Sequence, residues 1–221
     1  MACSFKRSKN DWRTTDAAYR QRYPGVKLVL EELTPLQQDE AFARGELDLG
    51  FTRPLSYEQS VLFDTRSLYK EPLLVAMPDH CPPKGKSVAL KNLDGKPLIL
   101  FHRRGAPGLY DTITALCNEA GFVPRVEHEP NLMQTVLSLV ASEAGAAIVP
   151  ACVRNLRADG VKFLRIVPDH ARVELIATWR KGAFLANEQL QAKLFLQFGH
   201  CLARAGCATF RRRAASRYPF H

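Results

Sequence analysis

The chain has 221 residues, 46% hydrophobic and 24% charged, with a net charge of +9, which is the composition of a globular protein of one large or two small domains. No apolar run approaches the roughly 18 residues of a membrane span. The basic residues Lys6, Arg7 and Lys9 have no apolar stretch behind them, so no secretory signal is expected and the chain reads as cytoplasmic. The distribution of the positive charge favours solvated ends over a nucleic-acid face. Residues 1–27 hold seven Lys/Arg against two Asp, residues 199–221 hold five Arg and no acid, and 28–198 keeps 19 basic and 20 acidic residues. A DNA-binding surface concentrates charge on a folded face, whereas these two terminal segments lack periodic apolar pattern and read as solvated ends.

In chain order, Thr14 or Thr15 with Asp16 offers an N-cap for a short helix to about Tyr23, stopped by Pro24-Gly25. Val26–Glu32 is a β-rich strand. Thr34 caps the next helix and Pro35 takes its first position, where a missing N–H costs nothing. That helix runs through Ala43 and ends near Gly45, and Leu47–Phe51 reads as a buried strand. Strands are expected around Val61–Thr65, Leu68–Met77 and Leu98–Phe101, then a Gly/Pro turn and a helix over Leu109–Ala120 with Gly121 closing it. Val123–His128 is a strand, and Leu132–Ala141 a helix with Leu132, Val136, Leu139 and Val140 on one face. Ala146–Val149, Val161–Ile166 and Val173–Trp179 are strands, and Asn187–Phe198 a final helix. Strands separated by helices imply βα crossovers and a mostly parallel sheet. The pattern divides into two α/β lobes, with Leu68–Met77 and Val173–Trp179 as the crossings between them.

Several ordered segments then become recognisable: RYPGVKLVLEE (22–32), LTPLQQDEAFARGELDLGFTR (33–53), LYKEPLLVAMPDHCP (68–82), LKNLDGKPLIL (90–100), EAGFVP (119–124) and LSLVASEAGAAIVP (137–150). Together they make residues 16–198 resemble the effector-binding domain of LysR-type transcriptional regulators. The resemblance implies a two-lobed, type 2 periplasmic-binding-protein-like α/β fold with a small-molecule effector in the inter-lobe cleft. It implies lobe I at 14–76 plus 178–198 and lobe II at 77–177, with 1–13 and 199–221 unmatched. It implies effector control of transcription, self-association through this domain, DNA contact only through a helix-turn-helix that this chain does not include, no cofactor and no metal. A free-standing solute-binding protein of the same fold is the alternative. Two departures stand out. Residues 1–13 do not read as the strand with which the family opens this domain, and 199–221 fits no packed helix. The expectation is a domain imperfect at both ends, with lobe II the more stable unit.

In such sheets, ligands sit beyond the carboxyl ends of strands, where helix N-termini offer unpaired N–H groups and a partial positive charge. The candidate effector contacts are Thr34, Pro35, Arg53, His102, Arg103, Pro107 and Met133, and a carboxylate is the effector chemistry they suit. Three have a plainer reading: Thr34 as a cap, Arg53 as a solvated loop cation and Met133 as core; of His102, Arg103 and Arg104 one is expected to face the cleft, and which one is not readable from the sequence. Catalytic motifs (GxSxG, HExxH, a Walker loop, GxGxxG) are lacking. Asp79, His80 and Cys81 are sequence neighbours and do not make a nucleophile–base pair, so no enzyme is expected. The six cysteines show no metal-ligand spacing and read as thiols.

Overall fold

The computed structural model describes residues 21, 33, 35–80, 85–156 and 158–182. The elements expected over 14–23, 26–32 and 187–198, the two basic ends and Thr34 lie outside the described residues.

Helix α1 (Pro35–Ala43) starts at Pro35 as the N1 rule requires. Its inner face is Gln38, Ala41 and Phe42, all buried at i, i+3, i+4 spacing. The chain then alternates: Leu47, Leu49 and Phe51 are buried while Asp48 is half-exposed, and β1 is the short end of this run (Gly50–Thr52). Helix α2 (Tyr57–Leu62) replaces the first part of the strand expected at Val61–Thr65. Ser56 accepts the Gln59 N–H, and the Gln59 side chain accepts the Ser56 N–H, a capping box. No residue of α2 is buried, so no apolar period announced it.

Strand β2 (Phe63–Pro78) organises the molecule. Its first part, Phe63–Pro72, runs antiparallel to β8 (Arg172–Arg180), which in turn pairs with β1. From Leu73 onward β2 leaves β8 and enters a second sheet, between β6 (Ala146–Pro150) and β7 (Val161–Val167). The second sheet continues from β6 to β4 (Pro97–Ile99) and β5 (Arg125–His128), and from β7 to β3 (Ser87–Ala89), a strand the sequence did not announce. The β3–β7, β4–β5 and β4–β6 pairings are parallel; every pairing of β2 and β8 is antiparallel. The result is a mixed α/β sheet rather than the mostly parallel one expected, because the crossing strands run against their neighbours.

Helix α3 (Pro107–Glu119) and helix α4 (Met133–Ala141) cover the second sheet. Gly121, at φ +85°, lets α3 end with Phe122 N–H donating to Cys117 O and Gly121 N–H to Asn118 O. On α4 the buried face is Met133, Val136, Leu137 and Val140, so Met133 takes the place expected of Leu132, which is exposed. These helices and the second sheet share one apolar core that includes Leu93, Leu98, Ile99, Ile113 and Leu164, each fully buried side chain contributing about 1.5–3 kcal/mol. A smaller cluster under α1 joins Ala41, Phe42 and Leu47 to Leu33 and Phe63, with the Phe42 and Phe63 rings 4.9 Å apart and tilted by 51°.

Candidate functional site

A recess opens where the two sheets' outer elements meet. One wall is α1, the segment after β1 and the start of β2; the other is the head of α3. The local folding explains why they converge. Gly50 carries no side chain, so α1 lies directly on β1: a Cβ there would sit 2.5 Å from Gln38 Oε1 and 3.2 Å from the Phe42 ring. Arg180 donates to Phe42 O (3.2 Å), and Gln59 Nε2 donates to Asp39 Oδ2 (2.7 Å), tying α1 to β8 and to α2. Burial holds the Asp39 carboxyl above its ordinary pKa, and the Gln59 hydrogen bond partly offsets this. Across the recess Gly108 abuts the Pro54 carbonyl so closely that any Cβ would run into it. The enclosed part of the recess has room for about one water.

Of the residues expected to form a site, Arg53 and Pro107 line this recess. Arg53 is not the solvated loop cation of its plainer reading. It is 6% exposed and ion-paired with Glu71, itself 1% exposed. Its Nη1 donates to Glu174 O (3.3 Å) and its Nη2 lies 3.5 Å from Cys152 Sγ. The other Glu71 oxygen accepts the Cys152 backbone N–H at 2.9 Å. Glu71 stands one residue before the end of the first-sheet part of β2, and Cys152 follows β6 of the second sheet, so this network fastens the two sheets where β2 crosses.

Pro107 stands at the first turn of α3. The Leu109 and Tyr110 N–H groups donate to Ala106 O and the Ala106 N–H to His102 O, and the turn contributes Ala106 and Pro107 to the lining of the recess. His102 accepts the Arg104 N–H on Nδ1 (3.1 Å) and braces the turn before α3. Arg103 points to solvent and forks onto Asp111, Nε–Oδ1 2.8 Å and Nη2–Oδ2 3.2 Å. Met133 belongs to the core of the second sheet. Pro35 opens the helix whose next turn carries Gln38 and Asp39. The reading of the sequence missed Gln38 and Thr178, which also line the recess. Their signal was a polar residue on an otherwise apolar inner face, in α1 and in VELIATW. Among the described residues no group of His, Cys, Asp and Glu is arranged to hold a metal, no helix is long and apolar enough to cross a membrane, and Cys117 and Cys152 are thiols.

The LysR substrate binding domain matches residues 17–200. The transcriptional regulator AlsR of Bacillus subtilis is 26% identical over 184 residues, covering 83% of this chain and 59% of AlsR. IlvR of Caulobacter vibrioides is 32% identical over 164 residues, covering 74% of this chain and 55% of IlvR. The chain thus spans little more than half the length of these relatives. Among solved structures, the LysR-family regulator CbnR superposes with a TM-score of 0.67 at 25% identity, over 86% of this chain and 64% of CbnR. The effector-binding domain of a BenM variant superposes at 0.69 and 22% identity, over 86% of this chain and 88% of that domain. The fold is accordingly the two-lobed, type 2 periplasmic-binding-like one, and the chain belongs to the LysR family as its substrate-binding domain.

Proposed function

We propose that this chain senses a small organic acid, seated in the recess between its lobes, on behalf of a cytoplasmic transcriptional regulator. Lobe I is 14–76 with 178–198 and lobe II is 77–177. The observation that carries the reading is the composition of the recess wall: α1, Thr52–Leu55 and Thr178 on one side, Ala106 and Pro107 on the other. A molecule seated there touches both lobes, so its affinity depends on how they are disposed. That dependence is the condition for a ligand to shift a conformational equilibrium. The partial positive charge at the head of α3 favours an acid group on that side. BenM, a neighbour in fold, has benzoate as its effector. The contacts assigned to the effector are Thr34, Pro35, Arg53 and Pro107; Arg103 joins them only by releasing Asp111. Regulation of transcription then requires a DNA-binding segment outside this chain and pairing of two copies through this domain; CbnR has been solved on its target DNA.

Calorimetry against benzoate and C4–C6 aliphatic carboxylates tests the reading. Saturable binding is expected, and Thr52→Tyr, which fills the recess, is expected to remove it. Binding that persists in Thr52→Tyr, or that also survives Thr34→Val, Arg53→Ala and Arg103→Ala together, contradicts the assignment.

A further inference from the structure

Gln38 and Thr178 are 3% and 2% exposed. Gln38 Oε1 and Thr178 Oγ1 are buried and have no hydrogen-bond partner among the described residues. The two are neighbours over one point of the sheet. Gly50 pairs with Thr178 across β1 and β8, and a Cβ at Gly50 would lie 2.5 Å from Gln38 Oε1 and 3.1 Å from Thr178 Cγ2. Both residues line the recess. Buried polar atoms are satisfied in the great majority of cases, so two orphaned oxygens on neighbouring residues that line one recess point to something that satisfies them.

The unsatisfied atoms here are both oxygens. Gln38 Oε1 and an ionised carboxylate accept and do not donate, and the Thr178 hydroxyl does either. Asp39, the next residue along α1, also lines the recess and keeps one oxygen on Gln59. The Arg53 charge is taken up by Glu71, so the three ionised groups together leave one negative charge. A second carboxylate brought here meets like charge, and a methyl or ring edge leaves both oxygens unsatisfied. A donor satisfies them, and the enclosed space fits a hydroxyl-sized group.

We infer that the effector is a monoacid carrying a hydroxyl, or another small hydrogen-bond donor, at the end remote from its acid, and that Gln38 and Thr178 receive that donor. The inference rests on the recess being the effector site. It separates hydroxy acids from the dicarboxylates and plain acids of the same length.

Calorimetry on the whole chain with matched series tests it: benzoate, 4-methylbenzoate, 3- and 4-hydroxybenzoate and benzene-1,4-dicarboxylate, beside hexanoate, 6-hydroxyhexanoate and hexanedioate. In at least one series the hydroxy acid is expected to bind about tenfold or more tighter than its methyl and dicarboxylate analogues. Gln38→Leu and Thr178→Val are expected to erase that ratio. Without ligand both variants should melt at or above the parent temperature, because each removes an orphaned oxygen. A dicarboxylate or methyl analogue that binds as well as the hydroxy acid overturns the inference, as does a ratio that survives both substitutions. A melting temperature lowered by several degrees in both variants also overturns it, since the oxygens would then have partners. If the acids bind without hydroxyl preference, only this inference fails; if none binds, the reading of the recess fails with it.

Discussion

Removing Glu71 should be among the most damaging single changes to this domain. Glu71→Ala strands the Arg53 guanidinium, 6% exposed, without its counter-charge, a loss that costs about 3–5 kcal/mol in buried pairs. It also removes the Glu71 oxygen to which the Cys152 N–H donates at 2.9 Å, at about 1–3 kcal/mol. The two losses share a site and do not simply add, so about 4–6 kcal/mol is expected. For a chain of this size that is a fall in Tm of roughly 10–20 °C, a large part of a typical stability of about 5–15 kcal/mol. The double variant Arg53→Met, Glu71→Leu removes both charges and fills their space. It should cost only the amide term, about 1–3 kcal/mol, and so recover stability relative to Glu71→Ala alone. Arg53→Met alone keeps the amide bonded but strands the carboxylate, and should fall between the two. Thermal unfolding of the four proteins measures these differences. A Glu71→Ala domain within about 1 kcal/mol of the parent would show that the buried pair does not hold the sheets together, as would a double variant no better than Glu71→Ala.

Gly108→Ala places a Cβ against the Pro54 carbonyl and should cost about 1–3 kcal/mol by forcing the head of α3 away from that segment; an unchanged Tm would show that the contact is not tight. Glu143 holds φ +66° in the turn after α4, so Glu143→Gly should stabilise by about 0.5–1 kcal/mol, read by denaturant unfolding; destabilisation would mean that its contact with His80, Nε2–Oε1 3.1 Å, outweighs the backbone term. Burial pushes the Cys117 thiol up from 9.0 to about 11. The folded state then keeps a proton that the unfolded state has lost, so stability is fully present below about pH 9 and declines from there to about pH 11. Cys117→Ala should flatten that decline, and an aromatic disulfide reagent at pH 8 should leave Cys117 unmodified until the domain unfolds.

The elements with strong apolar period were legible within a residue or two. Pro35 set the start of α1, and Gly121 the end of α3. Val136 and Val140 set the inner face of α4, although the face turned to include Met133 and Leu137 rather than Leu132. What escaped were elements whose reason lies elsewhere. α2 buries nothing and is held by the Ser56–Gln59 caps, so only the capping box was available to announce it. β3 is three residues long and exists because β7 offers it an edge. The antiparallel share of the sheets follows from β2 crossing from one sheet to the other at Leu73, a change of partner that alternation along one strand does not record. The site was less legible than the fold. Arg53 was found by its place after β1, but its partner Glu71 stands 18 residues on and reads as one acid in KEPLLV. Gln38 and Thr178 are single polar residues on apolar faces, which sequence alone cannot tell from tolerated exceptions.

The most direct test of an effector cleft between the lobes is the map of backbone amide shifts on titrating the chain with benzoate and 4-hydroxybenzoate. Saturable shifts confined to the recess are expected, at Gln38–Phe42, Thr52–Gln59, Ala106–Leu109 and Thr178, with contributions from both walls at the same ligand concentration. Shifts centred on the outer face at Val123–Leu132, or on one wall alone while the other stays unmoved at saturation, would contradict it.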